Sequence, residues 1–132
     1  MFYYNEAGKD ITYEFFAEGN FMAPSESFLE QKPSVYSIEL LEDAELRYVS
    51  ADGLNRLLEN FPLLERIKSH ILAYFLFQAN RRIVALQFQN AQQRYETLET
   101  DKGNILQRAP LGHIASYLGI TQETLSRIRG RK

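Results

Sequence analysis

Residues 121–132, TQETLSRIRGRK, hold one cap-forming hydroxyl and then a dense run of hydrogen-bonding side chains: Thr121, Gln122, Glu123, Thr124, Ser126 and Arg127, with Arg129, Arg131 and Lys132 behind them. On a helix, such groups can reach base edges in a DNA major groove from the N-terminal half, while the cations beyond them meet phosphates. That chemistry is recognition of a polyanion, without bond making. For catalysis the chain offers little. It has no cysteine, which removes a thiolate nucleophile, thiolate-bound zinc and cysteine-ligated iron–sulfur clusters together. Its two imidazoles, His70 and His113, belong to no metal-spaced group of the HExxH kind, and neither a Gly-rich phosphate loop nor a nucleophile elbow is present. Glu42, Asp43 and Glu45 cluster beside an expected strand turn, where a solvated loop is the ordinary outcome. No catalytic residue, metal site or cofactor is expected.

The recognition run needs a scaffold, and residues 111–130, LGHIASYLGITQETLSRIRG, supply one. A helix-turn-helix requires two short helices around a small apolar core, a small residue where they touch and a tight turn between them. Ile114, Leu118, Ile120, Leu125 and Ile128 are spaced to form that core, Ala115 is the small contact, and Gly119 takes the turn. Thr121 then stands where a hydroxyl caps the second helix.

Upstream, Pro62 suits the first turn of a helix, and neither Gly nor Pro recurs until Gly103. A long helix is predicted, with Leu64, Ile67, Ile71, Tyr74 and Gln78 recurring at spacings of three and four as the seam of a paired helix. Leu72, Leu76, Ile83 and Leu86 lie on another face. Around Ile71 to Phe77 the helix is apolar on nearly every side, so cover is expected on more than one face, from the chain's own strands and from a second copy of the chain, with a buried core helix in a monomer as the alternative. This apolar run is far too short to cross a bilayer. Asn90 with Gln93 reads as a capping box opening a further helix that runs to about Asp101, and Ser50 can cap a short one ending near Asn60.

The first part reads as strands. Phe2-Tyr3-Tyr4 and Ile11 to Phe16 flank the loop Asn5 to Lys9 as a hairpin, and Val35 to Leu40 and Glu45 to Val49 are two further strands. Charge is divided in the same direction. Residues 1–61 carry four Lys or Arg against twelve Asp or Glu, whereas residues 105–132 carry five against one. A basic end on an acidic body is the layout expected if only that end meets a polyanion. With 132 residues, 45% hydrophobic and 24% charged, the whole is an ordinary globular chain, neither disordered nor fibrous.

PLGHIASYLGITQETLSRIRG resembles the C-terminal DNA-binding end of the Crp/Fnr superfamily of bacterial transcription regulators, and the order of strands, long helix and helix-turn-helix follows that family over essentially the whole chain. It is especially similar to compact Bacteroidetes-type members, where an LQFQNAQQRY-like connector precedes the motif. The resemblance implies an α+β fold: a partial antiparallel β-roll of the cyclic-nucleotide-binding kind over residues 1–61, a long dimerisation helix over 62–89 and a helix-turn-helix domain over 90–132. In the family the recognition helix carries an Arg/Gln-Glu-Thr-x-x-Arg core, matched here by Gln122, Glu123, Thr124 and Arg127. This implies base contacts from Glu123 and Arg127, with Gln122 in place of the more usual arginine and therefore an altered half-site.

Two departures accompany the resemblance. The family's roll begins well before the position matching Met1, so a start codon placed too late, a truncated gene or an expressed fragment is expected. The family's cyclic-nucleotide cassette is Gly-Glu-Leu with Arg-Ser-Ala; here the stretch reads Ala23-Pro24-Ser25-Glu26-Ser27 and Pro33-Ser34-Val35-Tyr36, with no arginine for the phosphate. An unpaired buried phosphate is costly, so a response to cyclic AMP is not expected. The partners implied are double-stranded DNA, a second copy of the chain and RNA polymerase, with an unidentified small-molecule effector or none, in the cytoplasm and away from membranes. The rival reading is a ligand-sensing or dimerisation module whose helix-turn-helix no longer binds DNA.

Overall fold

Buried apolar side chains concentrate in the last third of the chain. In the computed structural model, which describes residues 1–130, the elements are β1 (Phe2–Tyr4), β2 (Asp10–Thr12), α1 (Ser25–Glu30), α2 (Ala51–Asn60), α3 (Leu63–Phe88), α4 (Ala91–Lys102), α5 (Ile105–Arg108), α6 (Leu111–Leu118) and α7 (Gln122–Arg129). Ile114, Ala115 and Leu118 of α6 meet Leu125 and Ile128 of α7 over Tyr95 and Leu98 of α4 and Ile105 of α5. Ile114 and Leu125 are wholly enclosed. Each fully buried aliphatic side chain of this size contributes roughly 1.5–3 kcal/mol, so these few residues hold the unit that carries α7.

Local signals explain the helix boundaries. The Asn90 carboxamide accepts from the Gln93 amide at 3.0 Å while the Gln93 side chain accepts from the Asn90 amide at 2.9 Å, a complete capping box that starts α4. Ser50 Oγ accepts from the Gly53 amide at 3.1 Å and starts α2. Between α3 and α4 the chain breaks at Gln89, whose backbone is extended.

The N-terminal hairpin joins the same core. Asn5 Oδ1 accepts from the amides of Ala7 and Lys9, Gly8 turns at φ 73°, and the strands pair Phe2 with Thr12 and Tyr4 with Asp10. The hairpin docks on α6, where the Thr12 amide donates to Ser116 Oγ at 2.9 Å. Buried Phe15 follows, its ring 5.3 Å from that of Tyr117, and the Lys102 ammonium pairs with Glu14 at 2.6 Å and donates to the Phe15 carbonyl at 3.2 Å.

The expected fold class is corrected here. No partial β-roll forms: among the described residues the only sheet is the two-stranded β1–β2 hairpin, and most of the chain is helical. The strand expected over Ile11 to Phe16 shortens to Asp10–Thr12, and Val35 to Leu40 makes one isolated bridge, Phe2 with Ser37. Glu45 to Val49 makes no strand, and Ser25–Glu30, read as irregular, is helical. The reason is missing cover. A strand needs a neighbour for its N–H and C=O groups and a layer over its apolar face, and an isolated pair of strands is marginal in water. Here the hairpin spends its covered face on α6, and the later segment is met at single side chains, as where the Tyr3 and Tyr13 rings reach Tyr36, rather than by a covering layer: Val35 is 74% exposed and Tyr48 94%.

α3 is the other open surface. It runs 26 residues with no buried residue, and Leu76 and Phe77 are 70% and 68% exposed. Of the expected seam, Ile67 and Tyr74 are exposed and Leu64, Ile71 and Gln78 half-buried, with the Gln78 amide donating to the Tyr74 hydroxyl at 2.9 Å. No helix among the described residues is long and apolar enough to cross a membrane.

Candidate nucleic-acid interface

Gly119 takes the left-handed conformation, φ 65° and ψ 39°, and so ends α6 and reverses the chain. A side chain there would carry the left-handed penalty of roughly 1–2 kcal/mol. Its amide, with that of Ile120, closes the last turn of α6 on the carbonyls of Ala115 and Ser116. Two residues on, extended Thr121 caps α7, its hydroxyl accepting from the Thr124 amide at 3.2 Å. The turn chemistry read in the sequence is the turn chemistry present.

With Leu125 and Ile128 pinned inward, helical periodicity leaves Glu123, Ser126 and Arg127 on the open side, all exposed, with Thr124 half-buried between them. The Arg127 guanidinium rests on Thr124 Oγ1 at 3.3 Å. The Thr121 hydroxyl, the Glu123 amide and the Arg127 charge hold the Glu123 carboxyl below its ordinary range, so it is an acceptor at neutral pH. An acceptor and a forked donor one turn apart are the pair needed to read, respectively, a base amine and guanine O6 and N7.

The remaining predicted residues fall differently. Gln122 folds toward α6, where a Cβ on Gly112 would come within 3.0 Å of its Nε2. Arg129 is half-buried and donates to the Leu106 carbonyl at 2.8 Å, which fastens α7 to α5 rather than aiming at a phosphate. Arg131 and Lys132 lie outside the described residues. Thr121 is exposed but occupied as the cap.

The basic end is also less bare than its sequence. The Arg108 guanidinium is shared by Glu18, at 2.7 Å, and Glu42, and its proton is held the more tightly for it. Glu18 is in turn pulled down to about 2 by the Arg108 hydrogen bond. His113 stands between Asp10 at 3.9 Å and Glu39 at 3.7 Å. Acids from the N-terminal segment thus lie along the domain they precede. Among the described residues no group of three or more His, Asp or Glu is placed to hold a metal ion.

Sequence reasoning passed over two residues at this site, Arg82 and Arg94, which reach the end of α6 from α3 and α4. The signal that could have found them is indirect: a short helix ending in a tight turn leaves carbonyls that need donors, and both arginines sit within reach of the break at Gln89. Comparison of the chain with protein-family models, with curated proteins and with solved structures returns no match.

Proposed function

We propose that the protein is a homodimeric, sequence-specific regulator of transcription that binds double-stranded DNA through α7 and belongs to the Crp/Fnr kind. The observation that carries this reading is α7 itself. It is capped by Thr121, anchored by Leu125 and Ile128, and bears Glu123, Ser126 and Arg127 on one exposed face. In this reading α7 lies in the major groove, Glu123 and Arg127 contact base edges, and Arg131 and Lys132 meet phosphates. The half-buried and exposed seam of α3 pairs with its copy, which places two α7 helices on successive grooves, and RNA polymerase is the machine so regulated in the cytoplasm. Any effector is not cyclic AMP, for want of an arginine at Ser34.

The second reading, a sensing or dimerisation module that has left DNA, draws on a specific observation: Arg108 and His113 are faced by acids and Arg129 is committed to Leu106. Titration of random duplex DNA at two salt concentrations separates the readings. DNA binding neutralises phosphates and must weaken steeply with salt, whereas the second reading predicts no binding at either concentration.

A further inference from the structure

The last four carbonyls of a helix have no partner within it. In α6 these belong to Ala115, Ser116, Tyr117 and Leu118. The turn serves the first two, since Gly119 donates to both and Ile120 donates to Ala115 at 3.0 Å. The other two are served from outside. Arg82 of α3 donates through Nη2 to the Tyr117 carbonyl at 2.8 Å, and Arg94 of α4 donates through Nε to the Leu118 carbonyl at 2.8 Å. Two guanidinium groups at the negative end of a helix dipole are also favourably placed electrostatically.

Each arginine has a second hold. The Arg82 guanidinium lies 4.0 Å from the centroid of the Tyr117 ring. Arg94 Nη1 donates at 2.6 Å to the carbonyl of Gln89, the extended residue where α3 gives way to α4. Leu86 of α3 completes the contact: a Cβ built on Gly119 would meet its Cδ2 at 3.6 Å. The break between the long helix and the α4–α7 unit is therefore bridged by hydrogen bonds to the very turn from which α7 departs.

We propose that Arg82 and Arg94 are positioning residues, a lock that holds the α3–α4 junction against the C-terminal end of α6 so that the direction of α3 sets the direction of α7. The use of such a lock rests on the DNA-binding reading: in a dimer paired along α3 it fixes the separation of the two α7 helices, and half-site spacing follows from that separation. The lock itself belongs to one chain and is measurable without DNA. Arginine suits the task, because its planar guanidinium carries donors in fixed, different directions: Arg94 reaches the Leu118 and Gln89 carbonyls from separate nitrogens, and Arg82 lies against the Tyr117 ring while it donates to the Tyr117 carbonyl.

The chain has no cysteine, so Ser69 on α3 and Ser126 on α7, both exposed, can be replaced by cysteine and spin-labelled in the full-length protein without background. Labelled chains are diluted into unlabelled ones, so that the distance measured is within a chain. A single narrow distance is expected for the parent, and a distribution at least ~2-fold broader for Arg82→Ala/Arg94→Ala, because removing both donors loosens a junction of two extended residues, Gln89 and Asn90. Should the double variant fail to fold, Arg82→Gln and Arg94→Gln carry the same expectation singly. An unchanged narrow distribution in folded variants overturns the lock. A second readout uses duplex DNA with half a helical turn inserted between half-sites: the parent should prefer the unaltered spacing by ~10-fold and the variant by no more than ~2-fold. If the parent binds no DNA while its distance still depends on the arginines, the DNA reading fails and the lock stands. Equal spacing preference in a parent and a variant that both bind DNA refutes the claim that the lock sets half-site spacing.

Discussion

Arg127 is the side chain on which the proposed base recognition turns. It is exposed, it stands one turn beyond Glu123, and its fork can match guanine O6 and N7. Arg127→Ala should cost ~1–3 kcal/mol per half-site and relax selectivity at one base position, leaving the affinity for random duplex little changed; binding isotherms on selected and random DNA measure both. Glu18 gives a prediction of another kind. Its folded-state carboxyl titrates near 2 against an ordinary 4.5, so its contribution to stability is complete above 4.5 and fades as pH falls toward 2. Melting temperatures of parent and Glu18→Gln should therefore differ at neutral pH and converge in acid. A constant difference across that range would mean that the Glu18–Arg108 pair is not what the substitution removes.

The elements separate into those their own sequence specifies and those that depend on absent neighbours. Capping is local, so Asn90 with Gln93, Ser50 and Thr121 announced three helix starts, and Gly119 announced the turn between α6 and α7. Strands are not local. Val35 to Leu40 has the composition of a strand, but its pairing depends on what lies beside it, and among the described residues its one backbone bridge is Ser37 with Phe2. The candidate site was legible to the extent that periodicity fixed its two faces; that Arg129 turns to Leu106 and Gln122 to Gly112 depends on rotamers and on α5 and α6, which spacing does not encode. Leu125 is the element-scale test of the core. Wholly enclosed, it should lose ~2–5 kcal/mol on Leu125→Ala, read as a shift in urea midpoint with little change in slope. The proposed seam of α3 is tested by Ile71→Asp, which in such a dimer would put two carboxylates at a two-fold contact at a cost on the order of several kcal/mol. Light scattering at ~50 µM should give a dimer for the parent and a monomer for the variant, and a monomeric parent at that concentration refutes the pairing.

At the scale of the whole molecule, the N-terminal hairpin, α4, α5, α6 and α7 make one packed unit, and α3, against which α2 lies, meets that unit near Arg82 and Leu86 and leaves Leu76 and Phe77 exposed. An acidic segment lies along the domain proposed to meet DNA, so association should depend strongly on ionic strength. Cyclic AMP should leave the melting temperature unchanged, since a ligand at ~100 times its dissociation constant would add ~2.7 kcal/mol of stability and be plainly visible. The most direct test of DNA recognition is selection of binding sites from random duplex DNA with the full-length protein, followed by titration of the selected site with parent and Arg127→Ala. The account predicts a two-fold symmetric site with half-site centres ~34 Å apart, and a loss in the variant confined to that site. No enriched sequence, or equal loss on selected and random DNA, would contradict it.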